Sequence, residues 1–149
     1  MADFENDLCI LLSDVARHMR TYGNQLVQLH GVTLAQFMIL ERLDHESDIS
    51  QNELAAIMDL APMTVVRLVD RLEELGFVER RTDPEDRRIW RLRLTPAAAG
   101  LVPDNKTVRA QLFLVGTKGI KANVLGTMVQ GLRQMKENVN SKRLVQASA

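Results

Sequence analysis

The chain has 149 residues, 46% of them hydrophobic, which is enough for one domain or for one domain with a helical extension. Its 19 basic and 19 acidic residues give a formal net charge of zero, so any nucleic-acid binding must depend on where the charges lie. A single cysteine excludes an internal disulfide, no apolar run is long enough to span a membrane, and the N-terminus is acidic, unlike a secretory signal. We therefore expect a cytoplasmic protein with no membrane partner.

The first two predicted elements are helices. Apolar side chains recur at helical spacing from Asp3 to about Leu29, and Gly31 is suited to end that helix. Thr33 and Gln36 then form a capping box, in which a hydroxyl and a side-chain amide satisfy free backbone amides at a helix start. The buried side of the second helix is expected to consist of Leu34, Phe37, Met38, Leu40 and Leu43.

Two shorter helical patterns follow, joined by a tight turn. Ser50 and Glu53 form a second capping box, and the turn falls at residues 59–61. The next helix is predicted from Pro62 to Leu75, because proline suits a first helical turn and Gly76 can end the helix. Its apolar stripe is Val65, Val69, Leu72 and Leu75, flanked by Val66 and Leu68.

The other face of the helix from Pro62 to Leu75 is polar. Met63, Thr64 and Arg67 in its N-terminal half suit contacts to base edges in a major groove, and Arg71 suits contact with a phosphate. A solvent-exposed amphipathic helix without a nucleic-acid partner would show the same pattern. This helix alone therefore leaves both interpretations open.

A ribbon rich in arginine comes directly after this helix. Phe77 to Arg81 and Ile89 to Leu94 are predicted strands, the residues between them have turn chemistry, and Ile49 is expected to add a short edge strand. Arg87 and Arg88 would lie at the tip of the ribbon. Arginine suits a narrow minor groove, because the negative potential of DNA is concentrated there. An ordinary solvated ribbon is the alternative.

Taken together, these segments resemble the MarR-type regulators (multiple antibiotic resistance regulators), and most of all their SlyA-type branch. The similarity is carried by NDLCILLSDVARHMR, VTLAQFMILERL and ELAAIMDLAPMTVVRLVDRLEELGFVERRTDPEDRRIWRLRLT, and it covers about residues 8 to 100 well. It implies a mainly α fold with a small β wing, namely a winged helix-turn-helix at residues 31–95. It also implies N- and C-terminal dimerisation helices, at residues 1–30 and 96–140.

The resemblance also implies roles for particular residues. Arg67 would read bases, Arg88 would enter the minor groove, and Asp86 would orient the wing. The family's wing is often written DxRDxR, and Glu85 stands here in place of the middle arginine, which leaves open how many phosphate contacts the wing makes. The complete set of expected DNA contacts is Ser50, Gln51, Met63, Thr64, Arg67, Arg71, Arg87 and Arg88.

A small-molecule site is implied by the same resemblance. MarR-type proteins bind aromatic carboxylates, such as salicylate, between the dimer helices and the DNA-binding lobe. Arg17, Arg20 and Phe37 would form such a site for an aromatic carboxylate or a phenolic effector, because arginine can grip a carboxylate while an apolar wall takes the ring. The alternative is that these arginines pair on the helix surface with Asp14 or other acids.

The last third of the chain is predicted to be helical. A long helix should begin at Ala97, and Pro103 should kink it or delay its regular part. Two glycines separate it from a final helix at about Lys121 to Asn138, and residues 141–149 are expected to fray. The first and the last helices have more apolar surface than a small core can cover, which predicts a homodimer, although packing on their own domain is the alternative.

Neither a catalytic motif, nor metal-ligand spacing, nor a phosphate-binding loop stands out, so we expect no enzyme, no metal and no cofactor. His18, His30 and His45 are scattered singly along the chain. Cys9 stands where peroxide-sensing relatives carry a reactive cysteine, but Ser13 replaces the tyrosine that those relatives have four residues later. A buried, inert Cys9 is the default expectation.

These observations favour a sequence-specific transcriptional regulator that binds double-stranded DNA. We expect a homodimeric, ligand-responsive repressor with a pseudo-palindromic operator whose half-sites lie about one helical turn apart. The low aromatic content, 4%, argues against recognition of single strands by stacked bases. Two other functions stay open: a redox-sensing regulator that acts through Cys9, and a helical protein-interaction module that does not bind DNA.

Overall fold

The computed structural model describes residues 2–101 and 105–147, with side chains from 7 to 101 and from 108 to 141. The elements are α1 (Ala2–Val27) followed by a single 3₁₀ turn (Gln28–His30), α2 (Leu34–His45), β1 (Ile49–Ser50), α3 (Gln51–Met58), α4 (Pro62–Glu74), β2 (Val78–Thr82), β3 (Trp90–Leu94), α5 (Pro96–Ala99), α6 (Asn105–Gly116) and α7 (Ala122–Ala147). The predicted fold class, mainly helical with a small wing and with helices before and after it, is confirmed.

Both predicted capping boxes are present. The Thr33 hydroxyl accepts from the Gln36 amide at 3.3 Å, and the Gln36 side chain accepts from the Thr33 amide at 2.9 Å. At α3 the Ser50 hydroxyl accepts from the Glu53 amide at 3.1 Å, while the Glu53 carboxylate accepts from the Ser50 amide at 2.7 Å. That backbone hydrogen bond lowers the pKa of Glu53. Pro62 occupies the first turn of α4, so all three helix starts follow from local sequence.

The wing is a three-stranded antiparallel sheet in the order β1–β3–β2. Ile49 pairs with Leu92, which confirms the short edge strand, and Arg80 pairs with Leu92 from the other side. Gly76 has a φ of 74°, a left-handed conformation that turns the chain from α4 into β2. Both long strands begin one residue later than the pattern predicts.

The core lies within the first of two compact units, Met1–Leu112, and α1 approaches α2 closely there. A Cβ at Gly23 would lie 2.5 Å from Leu34, and the Asn24 side chain accepts from the Leu34 amide at 2.7 Å. The expected inner face of α2 needs one correction: Met38 is exposed and Ile39 is buried, because the core reaches α2 from the side of Ile39. The buried apolar residues are Val27, Val32, Phe37, Ile39, Leu40, Leu43, Leu54, Ala55, Val65, Val69, Leu72, Val78, Leu92 and Ala98.

The C-terminal third departs from the prediction at its end. The helix expected from Ala97 begins as the short α5, which ends at Gly100, and its regular part is delayed to α6, from Asn105, one of the two outcomes predicted for it; Pro103 itself lies outside the described residues. The last helix does not stop at Asn138 or fray from residue 141 but continues to Ala147. Its final stretch contains neither glycine nor proline, so nothing in the local sequence ends the helix earlier.

The second compact unit, Phe113–Ala149, has apolar side chains but no interior of its own. None of the side chains described from 113 to 141 is buried. In the part of the chain that the structure describes, no helix is long and apolar enough to cross a membrane. The large apolar side chains that this unit exposes are Phe113, Leu114, Val115, Val124, Met128, Val129, Leu132 and Val139.

Leu72→Ala should lower the free energy of unfolding by about 2–5 kcal/mol, because it removes buried methyl groups and leaves a cavity under α4. Denaturant unfolding at one fixed protein concentration measures this loss. Leu29→Ala is the matched control, because the Leu29 side chain is 95% exposed, and it should change stability by less than about 0.5 kcal/mol. Equal losses in the two variants would contradict the burial of Leu72.

Candidate nucleic-acid interface

The outer face of α4 carries the residues expected to reach DNA. Met63, Thr64 and Arg67 are exposed there, while the opposite face of the helix is buried. Arg67 makes no ion pair or hydrogen bond with any residue that the structure describes. Arg71 is also exposed and pairs with Glu74 at 2.9 Å. The guanidinium of Arg67 is therefore available to a partner molecule, whereas that of Arg71 is shared.

Arg80, which the pattern did not single out, ties α4 to the wing and to α3. Its side chain is only 14% exposed, and its Nε donates to Gln51 Oε1 at 3.1 Å. One terminal nitrogen contacts Glu73 at 2.7 Å, and the other contacts Asp70 at 2.7 Å and the Val66 carbonyl at 3.3 Å. The signal in the sequence was the pair of acids three positions apart on one helix, facing an arginine on the next strand.

The loop between β2 and β3 is organised by a carboxylate. Asp83 is 6% exposed and accepts hydrogen bonds from the backbone amides of Glu85 at 2.8 Å and Asp86 at 3.1 Å. Its second oxygen accepts from Arg91 Nε. Arg91 also donates to the carbonyl oxygen of Asp48 at 2.7 Å. The expected orienting carboxylate was Asp86, yet the contacts that hold the loop to the sheet come from Asp83.

A second carboxylate fixes the edge of the sheet. Asp48 adopts a φ of 68°, and its side chain accepts from Arg93 Nε at 2.9 Å. The hydrogen bond from Arg93 lowers the pKa of Asp48, and the hydrogen bond from Arg91 lowers the pKa of Asp83. The same contacts raise the pKa of both arginines. The arginines of β3 are therefore engaged inside the wing.

The tip of the wing presents two adjacent arginines. Arg87 is exposed and has no hydrogen-bond or ion-pair partner within the described ranges. The guanidinium of Arg88 is 90% exposed and is held by both oxygens of Asp86, each at 3.1 Å. The hydrogen bond from Arg88 lowers the pKa of Asp86. Asp86 thus orients Arg88 rather than the whole loop.

Ser50 and Gln51 begin α3 next to the wing. The Ser50 hydroxyl is nearly buried and is occupied by the helix cap, whereas Gln51 is half-buried. A polar cleft of about 110 Å³ opens between the start of α3 and the tip end of the wing. The residues that line this cleft are Ser50, Gln51, Asn52, Arg88, Ile89 and Trp90.

Of the three residues expected to bind an effector, the two arginines are exposed and the phenylalanine is buried. Arg17 is exposed and pairs with Asp14, as the alternative interpretation had it. Arg20 is exposed on the same helix, with no ion-pair partner among the described side chains. Phe37 is 3% exposed and stacks on His30 with ring centroids 6.4 Å apart, so its ring belongs to the core.

Cys9 is exposed on α1, so the expectation of a buried cysteine is wrong. Leu8 and Ile10 on either side are exposed as well. Because successive helix residues point in directions about 100° apart, this segment of α1 as a whole lies outside the core. Among the residues that the structure describes, no three side chains of His, Cys, Asp or Glu form a group that could hold a metal ion.

This arrangement defines a class of protein. A short helix, a tight turn and a second helix with an exposed polar face are followed by a three-stranded wing with arginines at its tip. That is the layout of a winged helix-turn-helix DNA-binding protein, in which the second helix enters a groove and its neighbours contact the backbone.

Comparison with known proteins identifies the family. Residues 32–90 match the MarR family model. YsmB, an uncharacterised HTH-type transcriptional regulator of Bacillus subtilis (strain 168), is 31% identical over 111 residues, which cover 74% of this chain and 73% of that protein. MhqR of the same organism, also an HTH-type transcriptional regulator, is 30% identical over 97 residues, 65% of this chain and 67% of that one. The chain belongs to the MarR family.

Solved structures agree with this assignment. A mutant MarR from E. coli complexed with operator DNA is 26% identical, with a TM-score of 0.78 over 86% of this chain and 92% of that chain. The transcriptional regulator SlyA is 23% identical and has a TM-score of 0.83 over 91% and 96% of the two chains, a likeness of fold. The protein is thus a DNA-binding transcriptional regulator and not an enzyme, and both predictions are confirmed.

Asp83→Asn should make the stability of the protein less dependent on pH in acid. Because the pKa of Asp83 is lowered in the folded state, its charge stabilises the fold fully above about pH 4. That contribution is lost as the pH falls through the lowered folded-state pKa. The variant should therefore be less stable than the wild type at pH 7 and should lose less stability on acidification. Urea unfolding between about pH 7 and pH 2 measures both effects.

Asp44→Asn is the control for this change, because Asp44 is an exposed carboxylate on α2. It should follow the wild type at every pH. An Asp83→Asn variant that also follows the wild type would contradict the role of Asp83 in holding the wing loop.

Proposed function

We propose that this MarR-family protein is a cytoplasmic homodimeric repressor that binds a pseudo-palindromic operator. One observation carries the proposal: α4 and the wing tip each present a guanidinium group without a partner among the described residues, that of Arg67 and that of Arg87. Arg80 links α4 to the wing, so the two elements that carry these groups are joined. The similar E. coli MarR structure contains operator DNA, which supports the same activity in this chain.

The proposed docking places α4 in a major groove. Met63, Thr64 and Arg67 then face base edges, and Arg71 lies within reach of a phosphate. The wing tip reaches the neighbouring minor groove, where a narrow groove favours arginine. Arg87 and Arg88 enter it, and Gln51 at the start of α3 faces the phosphate backbone between the two grooves, while the nearly buried Ser50 caps that helix.

The proposed dimer accounts for apolar side chains that have no partner within the chain. In α1 these are exposed at several successive turns, and the second compact unit has no buried side chain among those described. Exposed apolar side chains of this number are typical of an interface, and a twofold dimer is the commonest oligomer. The helices at residues 1–30 and 96–140 would form it, with residues 31–95 as the DNA-binding part. The exposed apolar residues of α1 are Leu8, Ile10, Leu11, Val15 and Met19.

Two experiments test the proposal. The first is selection of bound sequences from a random duplex library, and the second is a mobility shift of the selected duplex at two salt concentrations with excess competitor DNA. We expect enrichment of a site with twofold symmetry, and binding that is tight, salt-sensitive and resistant to competitor. Binding that competitor abolishes, with no enriched sequence, would overturn the proposal. It would favour the helical protein-interaction module instead.

Arg67→Ala and Arg88→Ala should weaken operator binding in different ways. Loss of a base contact costs about 1–3 kcal/mol, so Arg67→Ala should relax the preference at one position of each half-site. Arg88→Ala should weaken binding to all duplexes. It should also reduce the salt dependence, because each phosphate charge neutralised contributes a slope of about 0.9 in the logarithm of the binding constant. Titration of labelled duplexes at several salt concentrations measures both.

Arg42→Ala is the charge-matched control, because Arg42 pairs with Glu46 on α2, outside α4, the wing and the proposed dimer helices. This variant should bind with wild-type affinity and salt dependence. Unchanged affinity and slope in Arg88→Ala would contradict the assignment of the wing to the minor groove.

The second part of the proposal is release of DNA by an aromatic carboxylate or a phenol. Arg20 supplies an exposed guanidinium without a partner among the described residues, while Arg17 would have to leave Asp14. Phe37 is buried in the core and stacks on His30, so its ring is not an exposed wall for the effector, and the arginines are the groups left to bind the carboxylate or phenol. DNA is released when the effector binds a dimer with displaced recognition helices more tightly than it binds the dimer that fits DNA. The loss of operator affinity cannot exceed the ratio of these two effector affinities.

Salicylate should lower the operator affinity of the wild type, and Arg20→Ala should raise the salicylate concentration required by about tenfold or more, because a charged hydrogen bond is lost. Titration of a preformed protein–operator complex measures this. Operator affinity that does not change at any salicylate concentration would count against the effector site.

A further inference from the structure

Arg80 determines which end of the Gln51 side chain is presented to solvent. Arginine has only hydrogen-bond donors, so the amide group of Gln51 must turn its oxygen toward Arg80. The Nε of Arg80 donates to that oxygen at 3.1 Å. Both N–H groups of the Gln51 amide then point away from Arg80. A glutamine without such a partner could turn either end outward.

Arg80 itself is fixed by contacts that do not involve Gln51. Its two terminal nitrogens contact Asp70 and Glu73, each at 2.7 Å, and the Val66 carbonyl at 3.3 Å. With two carboxylates beside it and only 14% of its side chain exposed, Arg80 is neutralised within the protein. It is therefore unsuited to bind a phosphate directly, and its position is set by α4.

Gln51 is one of the residues that line the cleft at the start of α3. Gln51 is the first residue of α3, and its Nε2 has no hydrogen-bond partner among the described residues. The cleft is also lined by Arg88 and Trp90 of the wing. In a helix-turn-helix the helix before the recognition helix crosses the DNA backbone, where phosphate oxygens accept hydrogen bonds from neutral amides.

We propose that Arg80 is a positioning residue, which acts through Gln51 by orienting the Gln51 amide to donate to a phosphate of the DNA backbone. This inference rests on the proposed function and adds a specific contact to it. It links the contact made by α3 to the placement of α4, because the arginine that orients the amide is held by carboxylates of α4.

A double-mutant cycle tests this coupling, with Gln51→Met, Arg80→Lys and the double variant titrated against an operator obtained by selection. Gln51→Met should weaken binding about tenfold in the wild-type background, the contribution of a hydrogen bond to a charged acceptor. In the Arg80→Lys background the same change should cost less than about twofold, because lysine lacks the planar donor group that orients the amide. Equal losses in the two backgrounds would overturn the inference.

The salt dependence of operator binding distinguishes loss of the oriented Gln51 amide from a general disturbance of the wing. Gln51 is neutral, so Gln51→Met should leave the slope of affinity against salt unchanged, in contrast to Arg88→Ala. A flattened slope in Gln51→Met would show that the wing arginines had withdrawn, and would overturn the inference. Absence of specific binding by the wild type would overturn the proposed function, and with it this inference.

Gln51→Glu provides a test that does not depend on how well Arg80→Lys folds. Glutamate retains an acceptor for Arg80 but has no N–H to offer, so thermal unfolding should match that of the wild type while operator binding falls at least as far as in Gln51→Met. Wild-type operator affinity in Gln51→Glu would overturn the inference.

Discussion

The guanidinium group of Arg80 is the contact on which the geometry of the interface depends. It joins the first residue of α3, the middle of α4 and the third residue of β2 in one partly buried cluster. Apolar packing holds α4 against the core. Because such packing has no preferred direction, it constrains the rotation of α4 about its own axis less strictly than hydrogen bonds do. Hydrogen bonds to Asp70 and Glu73 add direction, because a planar guanidinium has donors at fixed angles.

Charge sorting explains how a chain with no net charge presents a positive face. Between Asp48 and the end of β3, several carboxylates are turned against arginines of the wing: Asp48 against Arg93, Asp83 against Arg91, and two acids of α4 against Arg80. These pairs neutralise charge inside or beside the sheet. Arg67 and Arg87 are left with their full charge toward solvent, so the local field is set by pairing and not by composition.

The two compact units differ in what stabilises them. Among its described side chains, the unit Met1–Leu112 has fourteen buried apolar residues, whereas none of the described side chains from 113 to 141 is buried. A helix as long as α7 gains most of its stability in water from packing of its apolar face. The proposed dimer would provide that packing, and it would also set the spacing between two recognition helices. Dimer stability and operator geometry are therefore coupled in this proposal.

The sequence by itself determined the helix starts, the turn after α4, the wing and the family. These signals lie within three or four residues of each other, as in the capping boxes of Thr33 and Ser50. Only the tertiary structure decided which arginines are free. The partners of Arg80, Arg91 and Arg93 include residues 29, 43 and 45 positions away, and burial of Asp83 depends on the folded loop. Periodicity cannot distinguish an arginine that is paired from one that is free. Both occupy the polar positions of the pattern, and the partners come from elements that are distant in the sequence.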